Sequence, residues 1–79
     1  MTEYELRKLF AKRISRKLVA NNMKQIDLAE KTGIPKQTIS RYMNCQRKPT
    51  YDTVILIAQA LNCTPGDLID IDEQLERGV

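Results

Sequence analysis

The sequence predicts an all-α protein, a compact bundle of about five short helices. Apolar residues recur at the three- and four-residue spacing of helices along most of the 79-residue chain. Turn-forming residues divide these stretches, and no segment alternates apolar and polar residues over the length of a strand. A chain of this length has room for one domain, so residues 1–79 are expected to form a single domain with its core between about 5 and 71.

Composition narrows the class of protein. A hydrophobic fraction of 42% and a charged fraction of 29% are typical of a soluble globular chain. No apolar run approaches the roughly 20 residues that span a bilayer, and the acidic N-terminus does not resemble a signal peptide, so we expect no membrane association and a cytoplasmic location. Histidine is absent and the two cysteines, Cys45 and Cys63, are far apart. These features predict reduced thiols, no metal site and no cofactor. We also expect no enzyme activity, because the chain lacks histidine, a phosphate-cradling glycine loop and a carboxylate pair beside a plausible pocket.

The first helix is expected from about Glu3 to Ala20. Asparagine tolerates the left-handed conformation that follows a helix, so Asn21 and Asn22 should end it. Its basic residues are open to two interpretations, a surface that lies along phosphates or an ordinary solvated face. The apolar stripe consists of Leu6, Leu9, Phe10, Ile14 and Leu18.

Two shorter helices follow, over about Gln25–Lys31 and Lys36–Asn44. Gly33 suits the stop between them because it lacks a Cβ, and Pro35 suits the start of the third helix because the first turn does not use its missing N–H. Small Ala29 leaves room for the third helix to cross closely. In that helix the apolar positions Ile39 and Tyr42 should face inward, opposite a polar face.

Two further helices complete the predicted bundle. Thr50 is a good N-cap for a fourth helix that runs to Asn62. Residues 64–67 have the form of a capping box with proline at the first helical position, so a short fifth helix should carry Leu68, Ile69 and Ile71. Leu56 lies off the apolar stripe of the fourth helix and should be exposed. That stripe consists of Val54, Ile57, Ala58 and Leu61.

Charge is distributed unevenly along the chain. Residues 1–48 hold 12 Lys+Arg and 4 Asp+Glu, a net +8, whereas residues 49–79 hold 1 and 6, a net −5. Such a molecule can present a basic face to a polyanion and an acidic face to solvent. Ordinary solvated helix surface explains the charge alone equally well.

The segment over residues 25–44 has the sequence form of a helix-turn-helix, which points to DNA. Polar side chains on the second of its helices can meet base edges in the major groove. The predicted base-reading residues are Lys36, Gln37, Ser40 and Arg41. The predicted phosphate contacts are Gln25, Thr38, Asn44, Arg47 and Lys48. Helix capping is the alternative role for Gln25 and Asn44, and an ordinary polar loop is the alternative for Arg47 and Lys48.

These residues resemble the helix-turn-helix family of phage Cro proteins and repressors, also called the XRE type. The resemblance spans most of residues 14–71. It implies the five-helix bundle of phage-repressor DNA-binding domains, with the third helix in the major groove. It also implies base-reading positions for Lys36, Gln37 and Arg41, and phosphate contacts for Gln25 and Asn44. The matching motifs are Gln25-x-x-Leu28-Ala29, Gly33-Ile34, Thr38-Ile39-Ser40-Arg41, Asn44, Arg47-x-Pro49, Ile57-Ala58-x-Ala60-Leu61 and Asp67-Leu68-Ile69.

The chain departs from the family pattern at four positions. Lys24 stands where Thr or Ser usually caps the second helix, Pro35 where Ser is common, and Met43 where Glu is frequent. Cys45 replaces the usual glycine after Asn44. The turn there must therefore be made differently, and we expect Asn44 to take the left-handed conformation.

The leading hypothesis is a sequence-specific DNA-binding transcriptional regulator of the repressor kind. Its partner would be double-stranded DNA with a two-fold symmetric operator, bound by a homodimer. The alternatives are the DNA-binding antitoxin of a toxin–antitoxin pair, for which the tail is short, and a helical protein-interaction module without a nucleic-acid role. Apolar candidates for the dimer surface, which could equally belong to the core, are Leu56, Leu68, Ile71 and Leu75.

Overall fold

A computed structural model describes residues 2–69, and within them five helices pack around one apolar core. The all-α class and the five-helix bundle are confirmed, and the first four helices lie within two residues of their predicted bounds. The helices are α1 (Glu3–Ala20), α2 (Gln25–Thr32), α3 (Lys36–Met43), α4 (Tyr51–Ala60) and α5 (Pro65–Leu68). No helix within residues 2–69 is both long and apolar enough to cross a membrane.

Helix α1 begins at a complete capping box. The N–H of Glu5 donates to Thr2 Oγ1 over 3.1 Å, and the N–H of Thr2 donates to Glu5 Oε1 over 3.3 Å. The hydrogen bonds that the Glu5 carboxylate accepts from the N–H and the hydroxyl of Thr2 lower its pKa below the usual range. The Thr-x-x-Glu spacing of residues 2–5 is the sequence signature of this cap.

Asparagine ends both long helices. Asn22 after α1 and Asn62 after α4 have φ of 54° and 57°, which is left-handed. The next N–H then reaches back into the helix, from Met23 to the carbonyl of Leu18 over 2.9 Å after α1. The predicted stop of α1 is confirmed, whereas α4 ends two residues early because Asn62 has already left helical geometry.

Two hydrogen bonds of Asn21 join the end of α1 to the end of α4. Asn21 Nδ2 donates to the carbonyl of Leu61 over 3.0 Å, and Asn62 Nδ2 donates to Asn21 Oδ1 over 3.2 Å. Asn21 therefore ties the end of α1 to the end of α4. The conformational preference of asparagine predicted that Asn21 and Asn22 end α1, but only the packing shows that Asn21 meets α4.

The core lies where α1, α2, α3 and α4 meet, and α5 closes it. The rings of Phe10 and Tyr42 meet edge to face with centroids 6.1 Å apart, and this contact holds α3 against α1. Cys63 packs against the core as a free thiol, and burial raises its pKa. The largest fully buried side chains are Phe10, Ile14, Leu28, Ile39, Ile57, Leu61, Leu68 and Val54.

Leu68 belongs to this core, so its assignment to the dimer surface is wrong. Its exposed fraction is 0%, because α5 folds back against both α1 and α4. Leu56, in contrast, is 44% exposed on α4. The other two candidates, Ile71 and Leu75, lie outside the described residues.

Candidate nucleic-acid interface

A tight turn joins α2 to α3 and sets the direction of α3. Gly33 ends α2 with φ of 77°, and its N–H donates to the carbonyl of Ala29 over 2.9 Å. Thr32 Oγ1 then accepts from the N–H of Ile34 over 3.2 Å, which secures the next peptide. The predicted stop at Gly33 is confirmed, since a left-handed residue without Cβ carries little strain here.

Helix α3 starts directly after Pro35. The carbonyl of Pro35 accepts from the N–H groups of Thr38 and Ile39 over 2.9 and 3.1 Å, so the proline occupies the cap position. Ile39 and Tyr42 are buried as predicted, with exposed fractions of 1% and 4%. These two anchors fix the rotation of α3 about its axis, and its opposite side therefore faces away from the core.

The outward face of α3 carries three of the four predicted base-reading residues. Lys36, Gln37 and Arg41 are exposed, and within residues 2–69 their side chains make no hydrogen bond or ion pair. Ser40 is half-buried, and its Oγ lies 3.5 Å from Asn44 Nδ2. Thr38 is also half-buried. The helix backbone fixes where these long polar side chains begin, and their polar ends are available for contacts in a DNA groove.

Helix α2 packs against α3 and begins directly after Lys24. Lys24 occupies the cap position and its side chain makes no capping hydrogen bond. Instead the N–H of Lys24 donates to Asp27 Oδ2 over 2.8 Å, which supplies half of a capping box. Gln25 is the first helical residue and is half-buried. Helix capping was the alternative role for Gln25, but the carboxylate of Asp27 caps α2.

The turn after α3 differs from the expectation for Asn44. Cys45, with φ of 61°, takes the left-handed conformation, whereas Asn44 has φ of −94°. The N–H of Gln46 donates to the carbonyl of Arg41 over 2.8 Å, and that of Cys45 donates to Tyr42 over 3.1 Å. This bonding pattern requires positive φ one residue beyond the cap, where cysteine stands, and not at the cap itself.

The loop from Gln46 to Pro49 is held at both ends. The hydrogen bond of Gln46 secures its start, and Thr50 Oγ1 accepts from the N–H of Thr53 over 3.2 Å to cap α4, as predicted. Arg47 and Lys48 between these ends are exposed, and their side chains pair with no described residue. Two cations are therefore presented just beyond the end of α3.

The arrangement defines a class of protein: a helix-turn-helix whose second helix presents polar side chains away from a shared core. The chain belongs to the helix-turn-helix family HTH_3, whose model matches residues 12–68. This membership confirms the resemblance to the XRE type and the prediction that the chain is not an enzyme.

A solved structure shares the fold. The crystal structure of an HTH_3 family transcriptional regulator from Vibrio cholerae superimposes with a TM-score of 0.80 at 20% sequence identity. The match covers 94% of this chain and 42% of that one, so the chain spans less than half the length of this neighbour. A comparison with curated proteins gives no match.

Within the described residues α2 packs against α3. The predicted site residues that are exposed are Lys36, Gln37, Arg41, Asn44, Arg47 and Lys48, whereas Gln25, Thr38 and Ser40 are half-buried. One residue beside the site was not predicted from sequence: Asp27, whose carboxylate caps α2 where Ser or Thr is usual. An acidic residue three positions after Lys24 was the signal for it.

Proposed function

We propose that this chain is a sequence-specific DNA-binding repressor that inserts α3 into the major groove. The helix-turn-helix family and the likeness to a transcriptional regulator support a DNA-binding transcriptional regulator. The observation that carries the finer proposal is the outward face of α3, where Lys36, Gln37 and Arg41 are exposed and unpaired within residues 2–69. In this proposal residues 1–79 act as a single domain, in the cytoplasm with the DNA.

Each outward residue has a chemical role in reading bases. Arg41 can donate two hydrogen bonds to the O6 and N7 of a guanine, and Gln37 can pair with the N6 and N7 of an adenine. Lys36 can reach a guanine or a phosphate from the first turn of α3. Half-buried Ser40 is too short to reach far and contributes at close approach only. Each bidentate contact distinguishes bases by about 1–3 kcal/mol.

Phosphate contacts flank this face on both sides. Gln25 at the start of α2 precedes it, and Asn44, Arg47 and Lys48 follow it. Thr38 completes the set in the first turn of α3. Because phosphates carry no base information, these contacts set the position of α3 and the dependence of affinity on salt.

We further propose that the protein binds a two-fold symmetric operator as a homodimer. Helix α3 has eight residues, a length of about 12 Å, which equals the axial rise of roughly four base pairs. Two copies that bind half-sites one helical turn apart, about 34 Å, double the sequence that is read. Exposed Leu56 on α4 is the described residue that we assign to the dimer surface.

Selection of bound duplexes from a random DNA pool tests the proposal. We expect an enriched site with two symmetric halves, and a complex whose size corresponds to two chains on one duplex. Enrichment of an unsymmetric site with a single bound chain would contradict the dimer. Absence of any enriched site, together with salt-insensitive binding to another protein, would favour the helical interaction module instead.

Two substitutions separate base reading from phosphate binding. Arg41→Ala should weaken binding to the selected site by about 1–3 kcal/mol and relax the preference at one base pair. Arg47→Ala should weaken binding to all sequences alike and reduce the salt slope by about one phosphate contact. The control is Lys31→Ala, which removes one positive charge in the last turn of α2, at a residue to which no DNA contact is assigned. Equal behaviour of the Arg41 and Arg47 variants would refute the assigned roles.

A further inference from the structure

The part of α1 between Glu5 and Ser15 lies beside the end of α3, although the two are far apart in sequence. An open cleft runs between the two elements. Lys8, Lys12 and Ser15 line it from α1, and Met43 and Cys45 line it from the other side. Cys45 directly follows Asn44, a candidate phosphate contact, so the cleft adjoins the proposed DNA-binding surface.

The two lysines are available to a ligand in this cleft. Both are exposed, and Lys12 makes no ion pair within residues 2–69. Lys8 Nζ lies 5.6 Å from the centre of the Tyr4 ring, a contact that orients the ammonium group and leaves its charge intact. Glu5 also lines the cleft, but its carboxylate accepts hydrogen bonds from Thr2 at the start of α1.

We propose that Lys8 and Lys12 form an additional phosphate-binding edge, which extends the DNA contact from the loop after α3 onto α1. The inference rests on the proposed function, because it assumes that α3 enters the groove. Its ligand is the sugar–phosphate backbone of duplex DNA that flanks the bases read by α3. The edge adds affinity and carries no base preference.

The spacing of the lysines suits a phosphate strand. Residues four apart on a helix project from the same side and are separated by about 6 Å along its axis. That separation is close to the axial rise of two nucleotides in one DNA strand, about 3.4 Å each. Each ammonium can therefore meet its own phosphate without a change in the helix.

A matched pair of double variants tests the edge. K8Q/K12Q removes the two cleft charges, and K17Q/K31Q removes two charges elsewhere. Lys17 faces α5 beside Gly66 and Asp67, and Lys31 lies at the end of α2. Both variants change the net charge equally, so only position distinguishes them. Affinity for the selected duplex and for an unrelated duplex is measured between 50 and 200 mM salt, with helicity checked by circular dichroism.

For K8Q/K12Q we expect the salt slope to fall by about 1.8 on both duplexes, with the preferred site unchanged. The loss of affinity between 50 and 200 mM salt should then be smaller by roughly tenfold than for the unmodified protein. K17Q/K31Q should keep most of the original slope. An unchanged slope for K8Q/K12Q, or equal losses in the two variants, would overturn the proposed edge while α3 still reads DNA. An unmodified protein that binds no duplex would overturn the proposed function and this inference with it.

Discussion

Cys45 holds a left-handed conformation that most residues avoid, and its substitution by glycine should stabilise the protein. Its φ is 61°, and the hydrogen bond from Gln46 to Arg41 depends on that geometry. Cys45→Gly keeps the turn and removes the Cβ that makes it unfavourable. Cys45→Ala is the matched reference, because it also removes the sulfur but keeps the Cβ.

The magnitude follows from two opposing terms. The left-handed conformation costs a residue with a Cβ about 1–2 kcal/mol of conformational free energy. Glycine loses about 0.5–1 kcal/mol more backbone entropy on folding than alanine does. The midpoints of these two ranges favour Cys45→Gly over Cys45→Ala by about 0.7 kcal/mol. For a domain of this size that corresponds to a rise in Tm of roughly 3–6 °C.

Gly33 provides the reverse experiment on the same molecule. Its φ is 77°, and a Cβ added there would meet no atom within 4 Å. Gly33→Ala should therefore lose about the same free energy of unfolding for a purely conformational reason. Because a Cβ at Gly33 meets no neighbouring atom, a loss of stability in Gly33→Ala measures backbone strain without steric crowding, and the change at Cys45 can be compared with it.

Urea denaturation followed by circular dichroism, with a reductant present to keep the thiols free, measures all three variants. The reasoning would be refuted if Cys45→Gly were no more stable than Cys45→Ala while Gly33→Ala was clearly destabilised. That result would mean that the turn after α3 stores no conformational strain in solution.

Two further predictions concern the C-terminal part of the described chain. Leu68→Ala should lower the free energy of unfolding by about 2–5 kcal/mol because it opens a cavity in the core, whereas exposed Leu56→Ala should lower it by less than about 1 kcal/mol in urea denaturation. The hydrogen bond from the N–H of Thr64, 3.0 Å from Asp67 Oδ2, lowers the pKa of Asp67, so its stabilising effect is present above the unfolded value of about 3.9 and is lost as pH falls through the folded value. The stability advantage of the unmodified protein over Asp67→Asn should therefore narrow between pH 6 and pH 3, and a gap that is constant with pH would contradict it.

The local features of the site were predictable because they depend on residues near one another in sequence. Helical periodicity placed Ile39 and Tyr42 inward, and the same period placed Lys36, Gln37 and Arg41 outward. Gly33 ends α2 and Pro35 precedes α3, in each case because of the residue's own backbone conformation. The prediction of α2, α3 and the polar face of α3 thus required no tertiary information.

The turn after α3 shows where local reasoning was incomplete. The absence of glycine after Asn44 predicts an unusual turn, and side-chain preference places the left-handed residue at Asn44. Hydrogen-bond geometry at the helix end decides the position instead, and it requires Cys45. Residue preference therefore predicted an unusual turn after α3 but placed its left-handed residue one position too early.

By itself the sequence determined the five helices, the outward face of α3 and the family to which they belong. The tertiary structure alone decided that Leu68 closes the core and that Lys8 and Lys12 adjoin the end of α3. Hydrophobic spacing shows that a side chain lies on an apolar side of its own helix, but not which other helix covers that side. Burial and proximity across the fold depend on how the helices pack, and that is a property of all their faces together.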